Sequence, residues 1–76
     1  MFLDASIFTP QGPLFEGRAK SVMLPGEQGV FEVLPFHKRL ITRLISGTLV
    51  IDGRDFPVKR GIAKVEQNKL LVVIEE

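Results

Sequence analysis

The apolar residues of this chain alternate with period two, a pattern that leaves little room for helices. Val22 and Leu24 share one face of a predicted strand, and Phe31 and Val33 do so in the next. No stretch keeps the 3.6-residue repeat of an amphipathic helix. Turn signals interrupt the alternating runs at spacings of about 8 to 12 residues, which is typical of a sandwich or barrel. The sequence therefore predicts an all-β fold, a flattened β-sandwich or barrel of about nine to ten short, mostly antiparallel strands.

Proline and glycine mark where the predicted strands end. We expect Gly17 to bend the chain, a loop over residues 25–29, and a further break at Gly61. Asp52-Gly53 predicts a type I′ hairpin, and Pro57 predicts an edge strand because proline lacks a ladder donor. Residues 37–44 fit a short helix or a strand, and we favour the strand because an isolated two-turn helix is marginal. The predicted strands cover residues 5–8, 14–16, 19–24, 30–34, 37–44, 48–51, 54–58, 62–66 and 69–74.

Length and composition narrow the possible classes of protein. With 76 residues, 45% of them hydrophobic, we expect one small folded domain over residues 1–76. The absence of cysteine excludes disulfides and thiol nucleophiles, and a single histidine excludes a His-rich zinc site. The longest apolar run, from Leu70 to Ile74, is too short to span a bilayer, and no signal peptide is visible. We therefore expect a soluble cytoplasmic protein that reaches a membrane only through other subunits.

No catalytic motif is present, so the sequence predicts a non-enzymatic protein without cofactor or metal. The three serines lie outside any Gly-x-Ser-x-Gly motif. The segment 26–29 is bounded by glycines but lacks the Lys-Ser/Thr of a phosphate-binding loop. Asp52 and Asp55 are better explained as turn residues than as a carboxylate pair.

The formal net charge of +1 conceals an uneven distribution of cations. Residues 34–50 contain no acidic residue but carry Lys38, Arg39 and Arg43 together with His37. A second basic group comprises Lys59, Arg60 and Lys64. These groups fit either solvated loops or a contact surface. A nucleic-acid interface usually interleaves aromatics with cations, and only Phe36 meets that condition here.

Short motifs in a fixed order run through nearly the whole chain, from about residue 5 to residue 74. They are Thr9-Pro10, Phe15-Glu16-Gly17, Ser21-Val22, Leu24-Pro25-Gly26-Glu27-x-Gly29-x-Phe31, Leu34-Pro35-x-His37, Leu40-Ile41-Thr42, Gly47-x-Leu49 and Gly61-Ile62-x-x-Val65-Glu66. The combination of the Leu-Pro-Gly-Glu-x-Gly loop with Leu-Pro-x-His is specific. In these motifs the chain resembles the N-terminal β-sandwich of the epsilon subunit of F-type ATP synthases.

The resemblance implies a non-catalytic rotor subunit at the foot of the central stalk. Such a subunit binds gamma, rests on the membrane c-ring, and transmits proton-driven rotation during ATP synthesis. By resemblance, Glu27, Gln28, Gly29 and Val30 would contact the c-ring, whereas His37, Leu40 and Thr42 would contact gamma. The implied location is the cytoplasmic side of the bacterial inner membrane, as a peripheral subunit without nucleic acid. The alternative is a small β-barrel that binds nucleic acid or another complex through Lys38, Arg39 and Arg43.

The chain departs from the family pattern in three places. Pro35-Phe36-His37-Lys38-Arg39 replaces Pro-Gly-His-Ala-Pro, and Lys59-Arg60-Gly61 replaces Ser-Gly-Gly. The second change removes one glycine, so a close approach of two backbones that the family pattern allows at this point is not expected with certainty here. The sequence also stops at the last predicted strand, where many members continue into an inhibitory helical hairpin. It resembles the short epsilon subunits of some bacteria, for which no inhibition by inserted helices is expected.

Overall fold

The computed structural model describes residues 1–76 as nine β-strands joined by short turns, without a helix. The strands are β1 (Leu3–Thr9), β2 (Gly12–Ala19), β3 (Val22–Gly26), β4 (Gly29–Val33), β5 (Leu40–Leu44), β6 (Gly47–Ile51), β7 (Arg54–Val58), β8 (Arg60–Glu66) and β9 (Lys69–Glu75). The all-β prediction is confirmed, and so is the choice of strand over helix for β5.

The nine strands form one sheet that curls over a common core. Its hydrogen-bonded order is β2-β1-β9-β8-β5-β3-β6-β7, and β4 pairs only with β3. Every pair is antiparallel except β1 with β9, which is parallel. The sheet turns its corner where β5 passes into β6. There Leu44 pairs with Gly26, and the N–H of Ile45 donates to the carbonyl of Pro25 over 2.9 Å.

Alternating side chains from all nine strands supply the core. In β9, for example, Leu70, Val72 and Ile74 are buried, whereas the residues between them are exposed. Each such fully buried aliphatic side chain stabilises the fold by roughly 1.5–3 kcal/mol. The core comprises 16 residues: Leu3, Ala5, Ile7, Ala19, Val22, Leu24, Val33, Leu44, Leu49, Ile51, Val58, Ala63, Val65, Leu70, Val72 and Ile74.

Side chains, rather than a further ladder, join β2 and β7 at the two ends of the sheet. The guanidinium of Arg54 lies 5.7 Å from the ring centre of Phe15 in β2 and 5.6 Å from that of Phe56 in β7. These are cation–π distances. The arginine therefore bridges the two edge strands.

Two hairpins have the type I′ backbone that the right-handed twist of the strands favours. At the β6–β7 turn, φ is +46° for Asp52 and +83° for Gly53, which confirms the Asp-Gly prediction. At the β8–β9 turn, Gln67 and Asn68 have φ values of +50° and +61°. Pro57 lies in β7, whose only partner is β6, so its predicted place on an edge strand is also confirmed.

Three predicted breaks are wrong. Gly17 lies inside β2, and the chain instead turns at residues 20–21. Pro25 and Gly26 belong to β3, so the following turn contains only Glu27 and Gln28. Gly61 lies inside β8, where a Cβ atom would overlap the carbonyl oxygen of Val73. Gly17 lies on an edge strand, whereas Gly26 and Gly61 allow neighbouring atoms to approach the backbone closely. None of these residues interrupts its strand.

Candidate docking surfaces

The β3–β4 turn presents two polar residues at one end of the sheet. Glu27 and Gln28 form the turn and are exposed, as are Gly29 and Val30 behind them. Gly29 has φ +121°, a value that favours glycine. At Gly26 a Cβ atom would lie 2.8 Å from the ring of Phe31. The four residues predicted to contact the c-ring therefore lie together on a hairpin that only glycines allow to be this tight.

The residues predicted to contact gamma lie on β5 and on the turn before it. Leu40 and Thr42 are half-buried on β5. His37 is half-buried as well, with its Nδ1 atom 2.7 Å from the carbonyl oxygen of Lys38.

One open groove brings the two predicted sets together. Its volume is about 490 Å³, and its wall is completed by Gly26 and Phe31. All seven predicted residues line it: Glu27, Gln28, Gly29, Val30, His37, Leu40 and Thr42. The groove exists because β5 pairs with β3 only through Leu44 and otherwise follows β8, which leaves β4 and β5 apart. The structure tests the proximity of these residues, and their contacts with partners stay a prediction.

The opposite face of β5 continues into an apolar surface that sequence reasoning missed. Ile41, Ile62, Leu71 and Val73 are 63%, 54%, 43% and 48% exposed. The strand register brings them together across β5, β8 and β9. Ile62 pairs with Val73, and Lys64 of β8 pairs with Ile41 on one side and with Leu71 on the other. We call these four residues the outer apolar face.

Cations and carboxylates border the outer apolar face. Arg60 Nε lies 2.6 Å from Glu75 Oε2, and Arg43 Nη2 lies 3.3 Å from Glu27 Oε2. Both pairs also line a cavity of about 730 Å³ that includes Ile62 and Val73. An apolar centre with a charged rim is the usual composition of a protein–protein contact.

The sequence does contain a signal for this face. The run from Leu70 to Ile74 is continuously apolar, and a strand of that kind is apolar on both sides. This run indicates that β9 carries apolar side chains on the side that faces away from the core. It does not indicate which neighbouring strands contribute to the same exposed surface.

Residues 3–76 match the family described as the beta-sandwich domain of the ATP synthase delta/epsilon chain. The chain belongs to this family. The match covers all nine strands and therefore agrees with the fold and with the resemblance inferred from the motifs.

Curated relatives of this sandwich are named ATP synthase epsilon chain. That of Sulfurimonas denitrificans is 40% identical over 78 aligned positions, which cover 96% of this chain and 60% of the relative. That of Campylobacter fetus subsp. fetus is 36% identical, with the same coverage. The chain thus spans about 60% of the length of these relatives.

Two solved structures that contain a chain with a similar sandwich fold are of mitochondrial ATP synthases. The central stalk and c-ring structure of Tetrahymena thermophila contains a chain that superposes with a TM-score of 0.83 at 14% identity, over 96% of this chain and 63% of its own. The OSCP/F1/c-ring structure of Euglena gracilis gives a TM-score of 0.89 at 15% identity, over 99% and 51%. At these identities the likeness establishes the fold.

The basic cluster of this delta/epsilon sandwich is partly neutralised within the chain. Arg39 lies 3.5 Å from Glu66, and Arg43 pairs with Glu27, so only Lys38 of the three cations has no ion-pair partner. This arrangement weakens the nucleic-acid alternative, which needs free cations on one face.

The other departures from the family pattern also have structural outcomes. Gly61, the glycine retained from Ser-Gly-Gly, is the position where the backbones of β8 and β9 approach closely, so the approach is kept. Arg60, which replaces the other glycine, forms an exposed pair with Glu75. No three His, Cys, Asp or Glu residues are placed to hold a metal ion, and the structure has no helix of the length and hydropathy needed to span a bilayer.

Proposed function

We propose that this chain is a non-catalytic stalk subunit that joins gamma to the c-ring of an F-type ATP synthase. It acts as a rigid connector, so that rotation driven by proton flow reaches the catalytic subunits. The observation that carries the proposal is that one continuous sheet presents two exposed surfaces of different chemistry beside each other. One is the polar β3–β4 turn, and the other is the outer apolar face.

The chemistry of each surface suits a different partner. The turn from Glu27 to Val30 offers exposed polar backbone and side chains, which fit the polar loops of a membrane ring. The outer apolar face offers four large aliphatic side chains, which fit a protein partner that covers them permanently. Leu40 and Thr42 lie on the groove side of β5, whereas Ile41 lies on its other side. Gamma would therefore contact both sides of β5.

This function places the protein on the cytoplasmic side of the bacterial inner membrane, held there by the other subunits. It also assigns the chain no reaction of its own. Family membership supports a stalk role, and the rigid β body supports transmission of torque.

The test is binding of the chain to purified gamma from the same genome, measured by calorimetry. Ile62→Lys, beside Arg43 and Arg60, and Val73→Glu place a charge in the outer apolar face, and each should weaken binding at least about tenfold, as burial of an unpaired charge would. The matched control is Thr48→Glu, on an exposed position of β6 away from this face, which should bind like the unaltered chain. No binding of the unaltered chain at micromolar concentration would reject the proposal.

A further inference from the structure

Phe36 is the one large apolar residue that adopts a left-handed backbone conformation. Its φ is +64°, and the N–H of His37 donates to the carbonyl of Leu34 over 3.1 Å. Residues 34–37 therefore form a type II turn, with Pro35 at its second position and Phe36 at its third. The third position of such a turn favours glycine. The other non-glycine residues with positive φ are the polar Asp52, Gln67 and Asn68. Turn chemistry therefore explains those three residues but not a phenylalanine.

The Phe36 ring gains little from its own fold. The residue is 64% exposed and is not among the side chains packed against the core. Leu34 and Phe2, at the same end of the sheet, are 48% and 44% exposed. A strained backbone that carries an exposed aromatic ring suggests that the ring makes its contacts in a complex.

The turn is nevertheless held in a fixed position by Asn68. The N–H of Phe36 donates to Oδ1 of Asn68 over 2.7 Å, and Nδ2 of Asn68 donates to the carbonyl of Phe2 over 3.0 Å. The N–H of Asp4 donates to the backbone carbonyl of Asn68 over 3.1 Å. Asn68 thus connects the turn to the N-terminal segment. A ring presented on such a rigid support loses little conformational entropy on binding.

We propose that Phe36 is an aromatic anchor that inserts into an apolar pocket of gamma with an acidic rim. The inference rests on the proposed function, because the neighbouring His37 is one of the residues predicted to contact gamma, and Phe36 extends the surface on which it lies. The acidic rim follows from charge: Lys38 has no ion-pair partner, and the nearby Glu66 already pairs with Arg39 and Lys64.

A protein pocket fits these observations better than a membrane surface. Anionic lipids are recognised by clusters of about four to eight cations, whereas Lys38 is the unpaired cation of this turn. A fluid lipid surface also makes no use of a ring fixed in one orientation, while a shaped pocket does.

The test compares two substitutions that separate the ring from the backbone strain. Phe36→Gly removes both, so it should weaken binding to gamma at least about tenfold while raising the melting temperature by about 4–8 °C. Phe36→Ala removes the ring but keeps a side chain at positive φ, so it should weaken binding equally without that rise. The matched control is Gln67→Gly, which relieves strain in the neighbouring turn and should stabilise the chain without changing its affinity for gamma.

Each outcome of this comparison has one meaning. Equal affinity of the unaltered chain and Phe36→Gly would overturn the anchor and leave the proposed function standing, whereas no binding of the unaltered chain would overturn both. Vesicles with an anionic headgroup provide the second arm. Binding to vesicles that is lost in Phe36→Gly, with affinity for gamma unchanged, would identify a lipid contact and reject the pocket.

Discussion

Nη2 of Arg43 lies 3.3 Å from Oε2 of Glu27, so an ion pair links the outer side of β5 to the β3–β4 turn. The side chains of both residues are more than half exposed. The pair is therefore screened by solvent and salt. Because the ion pair lies between the two proposed contact surfaces, we expect it to affect partner binding more than the stability of the free chain.

We expect the Arg43–Glu27 pair to stabilise the free chain only slightly. A double-mutant cycle with Arg43→Ala and Glu27→Ala should give a coupling free energy of about 0.2–1 kcal/mol, falling as salt is added. Urea denaturation at two ionic strengths measures this quantity. A salt-independent coupling of several kcal/mol would contradict the solvent-exposed geometry.

Replacement of Gly61 by alanine should be among the most damaging small changes in the chain. The new Cβ atom would overlap the carbonyl oxygen of Val73 and crowd Ile74, so β8 and β9 would have to separate. We expect a loss of about 2–3 kcal/mol in the free energy of unfolding. Thermal denaturation measures it, with Lys59→Ala as the exposed control. An unchanged melting temperature would show that the strands do not approach as described.

Asp52 should stabilise the fold through hydrogen bonds that reach beyond its own hairpin. Its carboxylate accepts from the N–H of Lys20 and of Ser21, each at 3.1 Å, and so holds the β2–β3 turn against the β6–β7 turn. Asp52→Ala should lose about 1–2 kcal/mol, because it removes the acceptor and disfavours positive φ. Asp52→Asn keeps one oxygen acceptor and tolerates this backbone, so denaturant titration should place it between the two. An alanine variant as stable as the original would exclude this role.

Arg54 should hold the two edge strands together. Substitution by alanine removes both cation–π contacts, each worth about 0.5–1 kcal/mol at an exposed site. Hydrogen exchange should then accelerate in β2 and β7 more than in β9, and Arg54→Lys should show a smaller effect. Uniform acceleration across the sheet would indicate a general loss of stability instead.

The sequence could predict the strands and hairpins because those depend on neighbouring residues. Asp52-Gly53 specifies its turn through local backbone preferences. The strand β9 is recognisable from its run of aliphatic residues. The ends of β2 and β3 could not be predicted in this way. Gly17 and Pro25 look like breaks locally, but their place in the sheet depends on which strands lie beside them.

The candidate site was predictable only in part, for the same reason. The resemblance gave seven of the nine residues that line the groove, yet nothing in the sequence indicated that they share one groove. The groove forms because β5 pairs with β3 only at Leu44. This leaves a gap between β4 and β5, and the predicted residues line that gap. The outer apolar face likewise depends on the register of β8 against its two neighbours.

The parallel pairing of β1 with β9 gives the chain a particular order of assembly. Residues of the first and the ninth strand, such as Ala5 and Leu70, lie side by side within the sheet. A nascent chain leaving the ribosome must therefore keep β1 without one of its neighbours until β9 has emerged. Until then β1 and β8 each present an unpaired edge, and that interval is when the protein is most exposed to aggregation or to capture by a chaperone.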